Sequence, residues 1–174
     1  MTARACNECT LCCKLLPIRE TNKPANTLCV YQRSGKGCTV YHGEKFPASC
    51  GMWSCIWLTG DDDLARPDRS HYVIDPAPDF IEVSGQCVPV VQIWIDPKYP
   101  HAHKDPKLRA WLARRFDDKG EVGLVRFDSM RAIALFPPAF PFSPPQGRWV
   151  EQGGAVTQKE HGAEERLRLL RLRR

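Results

Sequence analysis

The feature that most constrains this chain is the crowding of cysteine near its start. Eight of the nine cysteines fall within residues 6–55, and the first four form a Cys-x2-Cys-x2-Cys-Cys run at Cys6, Cys9, Cys12 and Cys13. Proline, glycine and asparagine punctuate the same segment, which shows little sustained apolar periodicity. Such a segment buries too little apolar surface to fold unaided, so we expect a cross-linking metal to stabilise it.

Clustered cysteines either pair as disulfides or ligate metal, and the redox state of the compartment decides between the two. The chain has no run of eighteen apolar residues, and its first residues lack the apolar stretch of a secretory signal. We therefore expect a cytoplasmic protein without membrane association. Thiols stay reduced in that compartment, where metal ligation is favoured over disulfides and over chance burial of cysteine.

The spacing of the cysteines indicates which metals they could hold. Two intervening residues let both sulfurs reach one centre from a tight turn, which is the usual half-site for zinc, and this spacing also begins the bacterial ferredoxin signature. The chain departs from that signature because Cys13 follows Cys12 directly. Adjacent side chains diverge, so we expect this pair to serve two neighbouring centres, or one member to be a spare or reactive thiol. The predicted ligands are Cys6, Cys9, Cys12, Cys13, Cys29, Cys38, Cys50 and Cys55.

Eight thiolates allow several arrangements, and the spacing leaves them open. They could make two four-sulfur sites, a [4Fe-4S] cubane beside a zinc ion, or one site with extra thiols. Residues 1–60 carry seven basic and three acidic side chains, and this net charge of +4 would compensate thiolate charge. No basic stripe with stacking aromatic residues is evident, so we favour compensation over nucleic-acid binding. Trp53 and Trp57 flank Cys55 and are expected to shield the cluster from water.

Composition divides the chain into three parts that we expect to form one compact domain. Residues 1–60 are a cysteine-rich zinc- or iron-chelating module, residues 61–146 an α+β body, and residues 147–174 a basic C-terminal tail. The predicted fold class is α+β. In it, an irregular N-terminal metal module packs on a small mixed sheet of β-β-β-α-β-β order with one main helix.

The body has strand patterns on both sides of its helix. Residues 71–84 are predicted to form two short strands separated by a Pro-Ala-Pro turn, and the β-branched run over 88–95 a central strand. Cys87, beside that run, is expected to be a small buried apolar residue. Two further strands, at 122–127 and 131–136, are predicted to pair as a hairpin.

One helix and one proline-rich segment complete the predicted body. Asp105 and Pro106 suit the N-cap and first position of a helix, its apolar residues recur at helical spacing, and Gly120 ends it. Residues 137–145 contain five prolines and predict an extended polyproline II strap that lays nearby phenylalanines on the sheet. We favour this strap over a ligand for an aromatic groove.

Beyond the first cysteine run, several spaced elements agree in order with one known family. They are Cys29-Val-Tyr, Gly37-Cys38-Thr-Val-Tyr41, and Pro47 with Cys50 three residues on. Together with the first run they resemble the YkgJ-like cysteine-cluster family, the CxxCxxCC zinc- or iron-chelating domain. The resemblance covers roughly residues 6–58, and it departs at Phe46, where the family commonly has arginine.

The resemblance implies metal chelation by these cysteines and no established reaction. One branch with the same signature, the flagellin lysine N-methylases, is enzymatic, and only the cysteine motif carries over from it here. The leading expectation is a protein that holds zinc or an iron–sulfur cluster and acts by binding, redox sensing or maturation of a protein partner. The alternative is a protein-modifying enzyme of the methylase type, although no nucleotide or S-adenosylmethionine motif accompanies the cysteines.

Overall fold

The N-terminal part contains little regular structure in the computed structural model, which describes residues 4–60, 64–141 and 148–153. Its elements are helix α1 (Leu11–Leu15), strands β1 (Gln32–Arg33) and β2 (Gly37–Cys38), helix α2 (Ala48–Gly51) and a short 3-10 helix over Ile56–Thr59. β1 and β2 pair as an antiparallel hairpin. Turns connect these pieces, as the abundance of turn-forming residues predicts.

The body is built on one mixed sheet of five strands. Its elements are helix α3 (Pro67–Ser70), β3 (Tyr72–Val83), β4 (Gln86–Ile95), helix α4 (Pro106–Lys119), β5 (Val122–Arg126), β6 (Ala132–Phe136) and β7 (Val150–Gly153). The strands lie across the sheet in chain order, with β4 and β5 parallel and the other pairs antiparallel. Because parallel strands need a long crossover, α4 connects them. The predicted α+β class, mixed sheet and one main helix are confirmed.

The order of the strands differs from the prediction in two places. The two strands predicted within 71–84 are one strand, β3, whose pairing with β4 is irregular between Asp75 and Asp79. β3 lies at the edge of the sheet, where prolines need not donate to a neighbour, so the Pro-Ala-Pro segment bends the strand without ending it. The predicted tail contributes β7, so the described body has the order β-β-α-β-β-β. β4 also begins ahead of its proline, and β5 takes the central position.

Helix α4 begins and ends where the sequence predicts. The carboxylate of Asp105 accepts a hydrogen bond from the amide of Lys107 at 3.0 Å, which caps the first turn. Gly120 ends the helix in the left-handed region at φ 66°. The fully buried residues that α4 packs against the sheet are Leu108, Trp111 and Leu112.

Two further apolar clusters lie on the sheet. One contains Val73 and Trp94, against which the N-terminal part packs. The other contains Phe136, whose ring lies 4.6 Å from that of Phe140 between centroids. Phe140 thus packs on the body, but residues 137–140 form a turn closed by a hydrogen bond of 2.9 Å from the amide of Phe140 to the carbonyl of Pro137. This part of the chain is therefore not the extended polyproline II strap that the sequence predicts. Residues 142–147 lie outside the described part of the chain. No helix among the described residues is long and apolar enough to cross a bilayer.

A further prediction about the body is wrong. Cys87 is exposed rather than buried. It is the second residue of β4 and follows the tight turn at Ser84 and Gly85, both of which have positive φ. A cysteine at this position lies at the turn end of the β3–β4 hairpin, where it pairs with Glu82 of β3.

Candidate metal centre

All eight predicted ligand cysteines lie in the described part of the chain, and each is a free thiol. Four separate pieces of chain carry them. The first piece is the turn before α1 together with α1, and it carries Cys6, Cys9, Cys12 and Cys13. The second is the loop before β1, with Cys29, and the third is β2, with Cys38. The fourth runs from α2 to the start of the following 3-10 helix and carries Cys50 and Cys55.

The hairpin of β1 and β2 packs directly on the first cysteine turn. That turn is closed by a hydrogen bond of 2.7 Å from the amide of Cys9 to the carbonyl of Cys6. Gly37 has a φ of +79°, and a Cβ at this position would lie 2.2 Å from the carbonyl oxygen of Asn7. Only glycine permits this approach. The contact sets Cys38, the next residue, beside the first turn.

Backbone hydrogen bonds connect Cys29 both to α1 and to the hairpin. The amide of Cys29 donates to the carbonyl of Cys13 at 3.0 Å, and the amide of Gln32 donates to the carbonyl of Cys29 at 3.0 Å. Gln32 is in turn the pairing partner of Cys38. Three cysteines that are distant in sequence are thereby joined through main-chain contacts.

A carboxylate clamp holds the helix that carries Cys50. The two carboxylate oxygens of Glu20 accept from the amide of Ser49 at 2.8 Å and from its hydroxyl at 2.9 Å. Glu20 lies in the loop between Ile18 and Lys23, whose amides and carbonyls pair at 2.9 Å in both directions. α2 is therefore fixed to the loop that follows α1.

Cys55 lies in the apolar layer between the module and the sheet. It is buried with Cys9 in a cluster that includes Leu15 of α1 and Val73 and Trp94 of the sheet. Both tryptophans that flank Cys55 in sequence are half-buried and pack against this cluster.

Three polar contacts fix the module on the body. The indole nitrogen of Trp53 donates to Asp75 at 2.8 Å, and the amide nitrogen of the Asn26 side chain donates to the carbonyl of Phe127 at 2.8 Å. Lys14 and Asp96 form an ion pair with 2.6 Å between Nζ and the carboxylate. The thiols are therefore carried on a segment with a defined orientation relative to the sheet.

A buried cation lies among the thiols, and the sequence analysis did not single it out. Lys23 is only 7% exposed, and its ammonium group donates to the main-chain carbonyls of Lys14, Leu16 and Pro24. Burial lowers the pKa of Lys23, and the charges of the neighbouring cysteines offset this only in part. These cysteines are Cys29, Cys13, Cys12 and Cys50. The only sequence signal is a lysine between two predicted ligands, and the path of the turn decides where its charge lies.

The adjacent cysteines of α1 differ strongly in acidity. A hydrogen bond from the Cys12 thiol stabilises the Cys13 thiolate, and together with the charge of Lys23 it lowers the pKa of Cys13 to about 7. The same hydrogen bond, with burial, raises the pKa of Cys12 well above its usual value. In the metal-free protein, Cys13 is therefore the thiol of this pair that ionises near neutral pH.

Mutual repulsion among the thiols opposes their ionisation. Burial, together with the charges of Cys55, Cys9, Cys13 and Cys38, raises the pKa of Cys6 to about 11. Burial and neighbouring thiolates likewise raise the pKa of Cys50 and of Cys38. So many thiolates can coexist in one place only if a cation neutralises them, which a bound metal would do.

Main-chain amides point at several of the sulfurs. Burial raises the pKa of Cys9, Cys38 and Cys55, and main-chain amides oppose this effect. The amides of Leu11 and Asp68 donate to Cys9, that of Val40 to Cys38, and those of Leu58 and Trp57 to Cys55. At each of the three cysteines, one donor lies two residues further along the chain. Amides in this arrangement favour the thiolate over the thiol, as a metal ligand requires.

The described cysteine side chains are not arranged around a common metal position. Among the described residues, no three His, Cys, Asp or Glu side chains form a group that could hold an ion. His42, the imidazole that follows Cys38 most closely in the chain, is exposed and contacts the ring of Tyr41, with 4.1 Å between centroids. The type, charge and amide environment of the donors suit zinc or iron, whereas ligation would require the thiols to move closer together.

Comparison of the chain with models of known families, with curated proteins and with solved structures finds no match. The likeness to the YkgJ-like family therefore rests on the order and spacing of the cysteine motifs alone. It stays a prediction.

Proposed function

We propose that this chain is a metal-binding protein of the YkgJ-like type, which holds zinc or an iron–sulfur cluster through its clustered cysteine thiolates. The observation that carries the proposal is that eight free thiols from separate pieces of chain lie near enough for their charges to act on one another. Their mutual electrostatic influence extends across these pieces, since Cys6 interacts with Cys38 and Cys55.

Two further observations support the proposal. The buried ammonium of Lys23 supplies positive charge beside the thiols, and its three carbonyl partners hold it in place. The amide donors at Cys9, Cys38 and Cys55 stabilise anionic sulfur before any metal arrives. Both features reduce the cost of deprotonating the thiols, which metal binding requires.

The proposed function includes no reaction. When bound, the metal would supply either a structural cross-link or, as an iron–sulfur cluster, an electron-transfer centre. The residues that would hold it are the eight cysteines, and a protein partner for binding, redox sensing or maturation remains part of the proposal.

Elemental analysis of protein purified without oxygen tests the proposal. We expect at least one equivalent of zinc or iron per chain, with acid-labile sulfide and a brown colour if iron is present as a cluster. Protein that contains neither metal, and in which all eight clustered thiols titrate freely under native conditions, would overturn it.

A further inference from the structure

We propose that β7 is held on the body by a latch that acid releases, in which the buried imidazole of His103 takes up the proton. The latch consists of His103, Arg109 and Glu151. It includes none of the cysteines, so the inference goes beyond the proposed function and does not depend on it.

β7 is a short edge strand that depends on side-chain contacts. It has four residues and pairs only with β6 among the described strands. Glu151 lies opposite Leu135, a core residue under α4, so its side chain is on the α4 face of the sheet. Trp149, just before the strand, packs against the same core. A strand with so short a ladder opens easily unless such contacts hold it.

One carboxylate oxygen of Glu151 connects β7 to two other elements. Its Oε1 accepts a hydrogen bond from Nη2 of Arg109 on α4 at 2.8 Å. The same oxygen lies 3.4 Å from Nε2 of His103, which belongs to a 3-10 helix over Ala102–Lys104. The guanidinium group of Arg109 also lies over the ring of Trp149, 5.4 Å from its centroid. These contacts fix the edge strand to the layer of helices.

The hydrogen bonding of His103 shows which nitrogen would accept a proton. The residue is only 3% exposed, and its Nδ1 lies 3.1 Å from the carbonyl oxygen of Pro100. Because a carbonyl can only accept, Nδ1 carries the proton of the neutral ring and Nε2 presents a lone pair. Nε2 is fully buried and has no hydrogen-bond partner among the described residues. The lone pair and the Glu151 carboxylate are both acceptors, so neither satisfies the other.

A proton on Nε2 would place a positive charge in an enclosed position. The groups that face the ring are Glu151 from β7, Arg109 from α4, Lys104 and His101 from the 3-10 helix and its N-cap, and the apolar ring of Phe127. The carboxylate is already bonded to Arg109, so its charge is shared between two cations. Burial lowers the pKa of His103, and the attraction of Glu151 offsets this only in part.

The sign of the effect follows from this balance. The docked strand disfavours the charged imidazole, so acid favours the undocked strand, in which water reaches the ring. Stability from this group is complete above the ordinary histidine pKa of about 6.5 and is lost as the pH falls below it. Undocking leaves β6 at the edge of the described sheet, with main-chain groups open to pair with another strand.

Amide hydrogen exchange of β7 in the full-length protein tests the latch. It is measured from about pH 7.5 to about pH 5, which brackets the histidine range, and corrected for the intrinsic exchange rate. We expect the opening of β7 to be constant above this range and to rise below it by up to about tenfold per pH unit, the limit for one linked proton. His103→Gln should remove the dependence. His101→Gln, at an exposed histidine of the same segment, is the matched control and should keep it.

Glu151→Gln separates burial from attraction. It removes the charge that favours the imidazolium and keeps an acceptor for Arg109, so its opening should rise with acid at least as steeply as that of the parent. Loss of the pH dependence in this variant would show that an ion pair holds β7 in acid, and would overturn the proposal.

The parent protein decides the matter even if a variant does not fold. Protection of β7 that stays constant or increases as the pH falls would overturn the latch. A folded His103→Gln variant that opens in acid as the parent does would overturn it as well. None of these results bears on metal content, so the proposed function is tested separately.

Discussion

The cysteine module and the sheet body differ in what occupies their interiors. In the body, leucine, valine and isoleucine from α4 and the strands occupy the interior, and Leu108, Val125 and Leu135 have no exposed surface at all. In the module, much of the interior is sulfur and charge, with Cys9, Cys29 and Lys23 all buried. A thiol buries less apolar surface than a leucine or isoleucine side chain, so we expect a module of this composition to depend on another source of stability.

The two parts depend to different extents on the contact between them. The module inserts Leu11 and Leu15 against Val73 and Trp94, so its apolar contacts are largely contacts with the body. The body has its own core on the α4 face, which the module reaches chiefly through Ile56. We infer that the module needs both the body and its metal, whereas the body needs neither.

The largest expected effect is the loss of a ligand. Cys9→Ser and Cys38→Ser should each lose metal and lower the stability of the module, because structural zinc contributes on the order of 10–16 kcal/mol of apparent binding energy. Metal content and the melting temperature measure both effects. Cys87→Ser is the matched control and should change neither, since Cys87 is exposed on β4. Equal metal content and melting temperature for Cys38→Ser and the parent would remove Cys38 from the site.

A cavity in the body should affect stability without affecting metal. Leu112 is almost completely buried between α4 and the sheet, so Leu112→Ala should lower the free energy of unfolding by about 2–5 kcal/mol. Urea denaturation followed by tryptophan fluorescence measures this change, and elemental analysis of the folded variant should give the parent's metal content. Metal loss from the folded variant would show that the two parts are coupled more closely than we infer.

Alanine substitution of two glycines tests the contact between the β1–β2 hairpin and the first cysteine turn. Gly35 and Gly37 both have positive φ, but a Cβ at Gly35 meets nothing within 4 Å. Gly35→Ala should therefore cost only the backbone strain, about 1–2 kcal/mol. Gly37→Ala adds overpacking against Asn7, typically about 1–3 kcal/mol more. It should also weaken metal binding in a chelator competition, and equal effects of both variants would contradict the proposed role of this contact.

The smallest expected effect is a difference in thiol reactivity. In reduced, metal-free protein, alkylation of Cys13 by iodoacetamide should reach half its maximal rate near pH 7, because its pKa is lowered to about 7. Cys6, with its pKa raised to about 11, should stay largely unreacted until much higher pH. Lys23→Met should move the midpoint for Cys13 upward, since the ammonium charge favours the thiolate. Peptide mass spectrometry resolves the sites, and a common midpoint for both thiols would contradict the described environments.

The body could be predicted in large part because its signals are local. Asp105 and Gly120 mark the ends of α4 by their own chemistry, and the strand pairs β5 and β6 follow from their short connection. The merging of two strands into β3 could not be predicted, because the edge position that tolerates its prolines is a property of the whole sheet. β7 is four residues long and follows a proline-rich segment, so it carries almost no pattern of its own.

The cysteine set could be predicted as a group but not as an arrangement. Spacing identifies a half-site at Cys6 and Cys9. The surroundings of the sulfurs depend on contacts far apart in sequence, such as Glu20 with Ser49. Lys23 contributes to the net charge in the sequence, and only the path of the turn shows that its charge is buried beside thiols. Cys87 was expected to be buried because it adjoins a β-branched run, which predicts a strand but not which of its ends is covered.

Amide hydrogen exchange with and without a metal chelator, under reducing conditions, tests most directly the claim that metal holds the module and not the body. After chelation, protection should be lost around Cys29, Cys38 and Cys50, and it should persist in residues 90–95 of β4 and 108–116 of α4. Loss of protection in both regions together would show one cooperative core. Unchanged protection in the module after the metal has left would show that the thiolate centre does not hold it together.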